Sequence, residues 1–81
     1  MWSLRELVER YLALAGEFGK TIPLSQFALS HDETARVFAS FDEDYHISRY
    51  LHFSNREGST YLIGGEEVTH FSIDASIKGI L

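Results

Sequence analysis

Apolar residues recur every three or four positions near the start of the chain. They fall on one face of a helix with 3.6 residues per turn, at Leu4, Leu7, Val8, Tyr11, Leu12, Ala15 and Phe18. Ser3 precedes this stripe and Glu6 follows it by three residues, which is the spacing of a capping box. Gly19 supplies a residue of the kind that ends helices in the left-handed conformation. The pattern predicts a first helix that begins after Ser3 and stops at Gly19.

A second helix is predicted after a short irregular segment. Pro23 favours an extended backbone at Ile22, and about one helical turn is expected at 25–28. Ser30 and Glu33 repeat the capping-box spacing, and apolar residues continue at helical spacing at Ala35, Val37, Phe38 and Phe41. Three acids follow at 42–44, where the helix macrodipole disfavours negative charge. The second helix should therefore end there.

Beyond this helix the apolar period becomes two. The change begins at Ile47 and continues through Leu51 and Phe53, as in a strand with one buried face. The remaining predicted elements are a turn at 55–58, a strand at 59–63, a reversal at Gly64-Gly65 and a strand at 68–73. The tail at 75–81 is apolar and shows no period. The prediction is one α+β domain spanning residues 1–81, with N-terminal helices on one side of a small antiparallel hairpin or meander.

Composition narrows the classes of function. The chain has 81 residues and no cysteine, so its single core gains nothing from disulfides or thiolate-bound metal. Dimerisation is the expected source of additional stability. The net charge is −5, with only seven Lys and Arg residues, which argues against binding to nucleic acid. No run of 18 apolar residues is present and the N-terminus lacks a signal-peptide pattern, so a cytoplasmic protein without a membrane segment is expected.

Residues 4–64 resemble a winged helix-turn-helix domain in the order of their predicted elements. The resemblance is carried by IPLSQFALSHDETARVFASFDEDYHISRYLHFS, residues 22–54, in which a short helix precedes a Leu-Ser-led recognition helix that ends in an acidic turn before the wing. The short helix expected at 25–28 is several residues shorter than that family normally shows. The resemblance implies a DNA-binding regulator in which Arg49 and Arg56 contact phosphates. However, it also aims Asp32 and Glu33 at the polyanion.

The chemistry-bearing residues predict one surface cluster and no catalytic or metal site. Four-residue turns at both reversals would pair His52 with Tyr61 and Tyr61 with His70, giving a histidine–tyrosine–histidine row on one sheet face. A two-residue turn at Gly64-Gly65 would pair Tyr61 with Val68 instead. The histidine spacings match no zinc motif, and no nucleophile elbow or cofactor motif is present.

The preferred functional prediction is a non-enzymatic protein-interaction or dimerisation module. Its partner is a second copy or another protein, and the apolar C-terminal residues Ile77, Ile80 and Leu81 form the expected dimer face. The alternative is the DNA-binding transcriptional regulator that the winged-helix resemblance implies.

Overall fold

Short helices and short antiparallel strands make up the computed structural model, which describes residues 1–81. In chain order the elements are α1 (Leu4–Ala15), β1 (Ile22–Pro23), a 3₁₀ helix (Leu24–Gln26), α2 (His31–Glu43), α3 (Tyr45–Ser48), β2 (Leu51–Ser54), β3 (Tyr61–Ile63), β4 (Glu66–Val68), β5 (His70–Ile73) and a terminal 3₁₀ helix (Ala75–Ile80). One antiparallel sheet has the order β1-β5-β2, and β3 and β4 form a separate hairpin. The predicted α+β class is confirmed. None of the helices has the length and apolar character that crossing a membrane requires.

The start of α1 follows the sequence prediction and its end does not. The Ser3 hydroxyl accepts a hydrogen bond from the Glu6 N–H at 3.2 Å, and the Glu6 carboxylate accepts one from the Ser3 N–H at 3.0 Å. Hydrogen bonding from the Ser3 backbone also holds the pKa of Glu6 below its ordinary value. The predicted stop at Gly19 is wrong, because Gly16 already adopts a left-handed conformation with φ 84° and donates its N–H to the Leu12 carbonyl.

The second long helix begins and ends where the sequence predicts. The Ser30 hydroxyl caps α2 by accepting a hydrogen bond from the Glu33 N–H at 3.2 Å, and α2 ends at Glu43 within the acidic run. The predicted change to a strand at Ile47 is too early. Asp44 accepts a hydrogen bond from the His46 N–H at 2.9 Å and so caps one further helical turn, α3. The strand therefore begins at Leu51.

The hydrophobic core lies between the helices and one face of the three-stranded sheet. Phe71, on the central strand β5, is its centre, with ring centroids 4.7 Å from Phe38 of α2, 5.4 Å from Tyr11 of α1 and 5.8 Å from Phe27. These separations lie in the range at which aromatic pairs attract one another. Aromatic contacts thus join both long helices to the sheet.

The terminal 3₁₀ helix belongs partly to this core. Ile77 is fully buried, whereas Ile80 and Leu81 are 44% and 40% exposed. The Asp74 carboxylate caps the helix by accepting hydrogen bonds from the Ser76 N–H at 2.9 Å and the Ser76 hydroxyl at 2.7 Å. The prediction of Ile77 as part of a dimer face is wrong, because its side chain covers the chain's own core.

Thr69 joins the hairpin to the three-stranded sheet and divides the strand predicted at 68–73 into β4 and β5. It is only 2% exposed. Its N–H donates to the Ser54 carbonyl and its carbonyl accepts from the Leu24 N–H, both at 2.9 Å. Its hydroxyl accepts a hydrogen bond from the Arg56 N–H at 2.8 Å. One buried threonine therefore ties together the ends of several elements.

Candidate functional site

The outer face of the three-stranded sheet collects polar side chains. In the β2–β5 register, His52 lies opposite Ser72 and Ser54 opposite His70. Directly opposed residues share a face and successive residues alternate between faces. The intervening pairs, Leu51 with Ile73 and Phe53 with Phe71, face the core. We call the outward set, His52, Ser54, His70 and Ser72, the polar sheet face.

The predicted His52–Tyr61–His70 row is wrong, although the two histidines do share a face as diagonal neighbours. Tyr61 pairs with Val68 across the hairpin and is buried. Gly64 and Gly65 both have positive φ, 60° and 80°, as the two central residues of a tight two-residue hairpin turn require. This turn sets the alternative register. In addition β2 pairs with β5 rather than with β3, so no strand brings Tyr61 between the histidines.

The contacts of the polar sheet face describe a hydrogen-bonding surface. His52 Nε2 lies 3.5 Å from Asp74 Oδ2, and both side chains are about half exposed. His70 Nδ1 lies 2.6 Å from the Thr69 hydroxyl oxygen. That oxygen also accepts the Arg56 N–H at 2.8 Å, so the Thr69 side chain connects the His70 ring to the backbone of Arg56.

This face holds neither a paired nucleophile and base nor a metal cluster. The buried hydroxyl oxygen of Ser54 has no hydrogen-bond partner, and no serine hydroxyl bonds to either histidine. No group of three or more histidine, aspartate or glutamate side chains lies close enough to hold a metal ion. Hydrogen bonds from the Ser76 backbone and hydroxyl hold the pKa of Asp74 below its ordinary value, with a smaller contribution from His52.

Two shallow depressions mark the surface, each smaller than the roughly 300–1,000 Å³ of ligand pockets. One, of about 200 Å³, is lined by Met1, Glu33, Arg36 and Val37. The other, of about 220 Å³, lies between α1 and the segment after the first 3₁₀ helix and is lined by Arg10, Ala13, Leu14, Gln26, Phe27 and Ala28. We call this second depression the α1 groove. Its only trace in the sequence is Leu14, an apolar residue off the buried stripe of α1.

Aromatic packing fixes one side of the α1 groove. The Trp2 ring packs edge-on against Phe27 with centroids 5.4 Å apart, and the Arg10 guanidinium carbon lies 4.7 Å from the centre of the Trp2 ring. Leu14 projects from α1 beside them and is 39% exposed. The groove is thus an ordered apolar surface with a cation near its rim.

The start of the predicted recognition helix and the two arginines assigned to DNA contact lie in different environments. His31, the first residue of α2, stacks on Tyr61 of the hairpin with centroids 4.4 Å apart and bonds through Nε2 to the Thr60 carbonyl at 2.8 Å. Arg49 and Arg56 are exposed and stand just before and just after β2. The hairpin therefore holds the His31 ring, whereas the two arginines are exposed, with the Arg49 guanidinium carbon 5.7 Å from the centre of the Tyr50 ring.

Comparison of the chain with protein-family models, curated proteins and solved structures finds no match.

Proposed function

We propose that the protein is a non-enzymatic interaction module that pairs with a second copy of itself through the α1 groove. One observation carries the proposal. The same stripe of α1 offers a projecting apolar side chain, Leu14, and a depression of about 220 Å³ beside the small side chain of Ala13. A surface that contains both a projection and a matching hollow is self-complementary, as a two-fold symmetric interface requires.

The geometry of such a dimer follows from the position of these residues. Two antiparallel α1 helices related by a two-fold axis between Ala13 and Leu14 set each Leu14 against Ala13 of the second copy. Each leucine then fills the hollow between α1 and the Phe27–Ala28 segment of its partner.

The size of this surface sets the expected strength. The helix α1 has 12 residues and is about 18 Å long. One short helix and its flanking segment bury less than the roughly 1,200–2,000 Å² of a standard stable interface. We therefore expect a reversible dimer with a dissociation constant in the micromolar range or weaker. The proposal assigns no catalytic residue, cofactor or metal ion.

DNA binding, the alternative function, has less support. The net charge is −5, and the first turn of α2 carries exposed Asp32 and Glu33 beside His31, whose ring is engaged by the hairpin. A helix that enters the major groove places this turn against bases and phosphates. Two carboxylates there would repel the polyanion.

Sedimentation of the wild type and two glutamate variants tests the dimer. We expect the wild type to shift from monomer to dimer as its concentration rises through the micromolar range. Leu14→Glu should stay monomeric, because a carboxylate would enter the apolar hollow. Leu62→Glu is the matched control, since Leu62 is 64% exposed on the hairpin and lies outside the groove, and it should dimerise like the wild type. A wild-type monomer at high micromolar concentration would refute the proposal, as would undiminished dimerisation of Leu14→Glu.

A further inference from the structure

The strand β2 has one paired edge and one free edge. Its only neighbour in the sheet is β5. The Tyr50 carbonyl accepts a hydrogen bond from the Asp74 N–H at 2.9 Å, which identifies Tyr50 and Asp74 as a hydrogen-bonded pair. Hydrogen-bonded pairs alternate along an antiparallel ladder, so the N–H and C=O groups of Leu51 and Phe53 point away from β5. No hydrogen bond from elsewhere in the chain reaches these four groups.

Unpaired positive charges stand at both ends of this free edge. Arg49 lies two residues before β2 and Arg56 two residues after it, and both are exposed. The basic side chains that lie within 4.0 Å of a carboxylate oxygen are those of His31 and His52. Neither arginine therefore forms an ion pair. Residues 49–56 span at most about 23 Å, the length of roughly seven extended residues. We call the backbone groups of Leu51 and Phe53, together with Arg49 and Arg56, the β2 edge.

We infer that the β2 edge binds an extended segment of an acidic partner protein, which joins the sheet beside β2 as a fourth strand. The backbone groups of Leu51 and Phe53 supply the donors and acceptors that such a strand needs, because addition to a sheet edge is driven by main-chain hydrogen bonds. The two guanidinium groups select carboxylates near the ends of the segment. This surface is separate from the α1 groove and does not depend on dimerisation.

A second copy is the wrong occupant for this edge. Two β2 strands paired antiparallel through this edge must oppose residues that both point their backbone groups across it, as Leu51 with Phe53 about an axis at His52. That register places Arg49 of each copy within one position of Arg56 of the other, and such close like charges repel one another. Nucleic acid would satisfy the arginines but makes no use of a row of alternating backbone donors and acceptors. A peptide strand satisfies both features together.

Amide exchange measured by NMR with a synthetic strand tests the inference. The probe is the acetylated and amidated heptapeptide Glu-Thr-Val-Thr-Val-Thr-Glu. Bound peptide should slow exchange of the Leu51 and Phe53 amides by about tenfold or more, since both become hydrogen-bonded. A peptide with N-methyl groups on its three central amides should lose this effect, and one with lysine in place of both glutamates should bind more weakly.

Charge-reversed variants separate the arginines from the overall charge. Arg49→Glu combined with Arg56→Glu should weaken binding by about tenfold, because two exposed ion pairs with the glutamates of the peptide are lost. The control variant combines Arg5→Glu with Lys20→Glu, which makes the same change in net charge away from β2. This control should bind the peptide more tightly than the variant with Arg49→Glu and Arg56→Glu.

Three results would overturn the inference. The first is that the Leu51 and Phe53 amides are not protected at millimolar peptide. The second is that the N-methylated peptide binds as well as the unmodified one. The third is that a short DNA duplex protects these amides and the peptide does not. The monomeric variant Leu14→Glu should bind the peptide as the wild type does. Failure of the dimer proposal and failure of this inference are therefore distinguishable in separate measurements.

Discussion

Adding a methyl group at Gly64 tests whether the hairpin docks on α2 as the structure shows. Gly64 and its neighbour Gly65 form the turn between β3 and β4, with φ 60° and 80°. A Cβ at Gly64 would lie 2.5 Å from the Asp42 Oδ2 atom near the end of α2, whereas one at Gly65 would meet nothing within 4 Å. The two substitutions therefore share backbone strain and differ in one contact.

The magnitudes follow from that difference. An L-residue in the left-handed region costs about 1–2 kcal/mol, so Gly65→Ala should lower the free energy of unfolding by about 1 kcal/mol. Gly64→Ala carries the same strain and also displaces the Asp42 carboxylate. Overpacking of this kind should lower the free energy of unfolding by about 1 kcal/mol more. Because the contacted atom is the far end of a flexible, partly buried side chain, the lower end of the overpacking range applies.

Urea unfolding followed by the fluorescence of Trp2, the only tryptophan, measures these changes. Repeating both glycine substitutions in an Asp42→Ala background completes a double-mutant cycle. The difference between the two glycine variants should disappear there, while the shared strain should remain. Equal stability of Gly64→Ala and Gly65→Ala with Asp42 present would refute the docking, and so would a difference that persists without Asp42.

Two further predictions concern the polar groups that hold the sheet in place. Thr69→Val keeps the shape of the buried side chain but removes the acceptor of the Arg56 N–H. The free energy of unfolding should therefore fall by about 1–2 kcal/mol, and the Arg56 amide should exchange faster. Thr69→Ser retains the hydroxyl and should leave that amide protected, so equal Arg56 exchange in both variants would contradict the assignment. The pKa of Asp74 in the folded state is lowered by Ser76, so its stabilising effect is present above the unfolded-state pKa and is lost as pH falls through the folded-state value. Asp74→Asn should therefore be less stable than the wild type at neutral pH, with a gap that narrows below pH 3.8 in thermal melts, and a gap that is constant with pH would argue against this origin.

Local signals in the sequence predicted the helices better than the strand pairing. Ser3 and Ser30 each cap a helix through a hydrogen bond to a residue three positions later, so the interaction that starts the helix is visible within a few letters. The pairing of β2 with β5 joins residues about twenty positions apart, and no local pattern records it. Ile77 was misassigned because a 3₁₀ helix of six residues sends only one side chain into the core, which leaves no period to detect.

The candidate surfaces could be predicted only in part, because they too depend on contacts between residues that are distant in the sequence. Alternation along the strands put His52 and His70 on one face, but the position of Tyr61 depended on which turn Gly64 and Gly65 adopt. The α1 groove could not be predicted, because its two walls come from segments more than ten residues apart.

The docking of the hairpin on α2 explains why the open surfaces lie elsewhere. His31 and Asp42 are eleven residues apart, which is three helical turns, so they lie on the same side of α2. The first stacks on Tyr61 and the second approaches Gly64, so the hairpin follows nearly the whole length of the helix. The side of α2 turned to solvent carries carboxylates at Asp32, Glu33 and Glu43. A helix covered along one flank and acidic on another is poorly suited to enter a DNA groove. The α1 groove and the β2 edge expose apolar or hydrogen-bonding groups that the hairpin leaves uncovered, and each of them is a proposed contact for a protein partner.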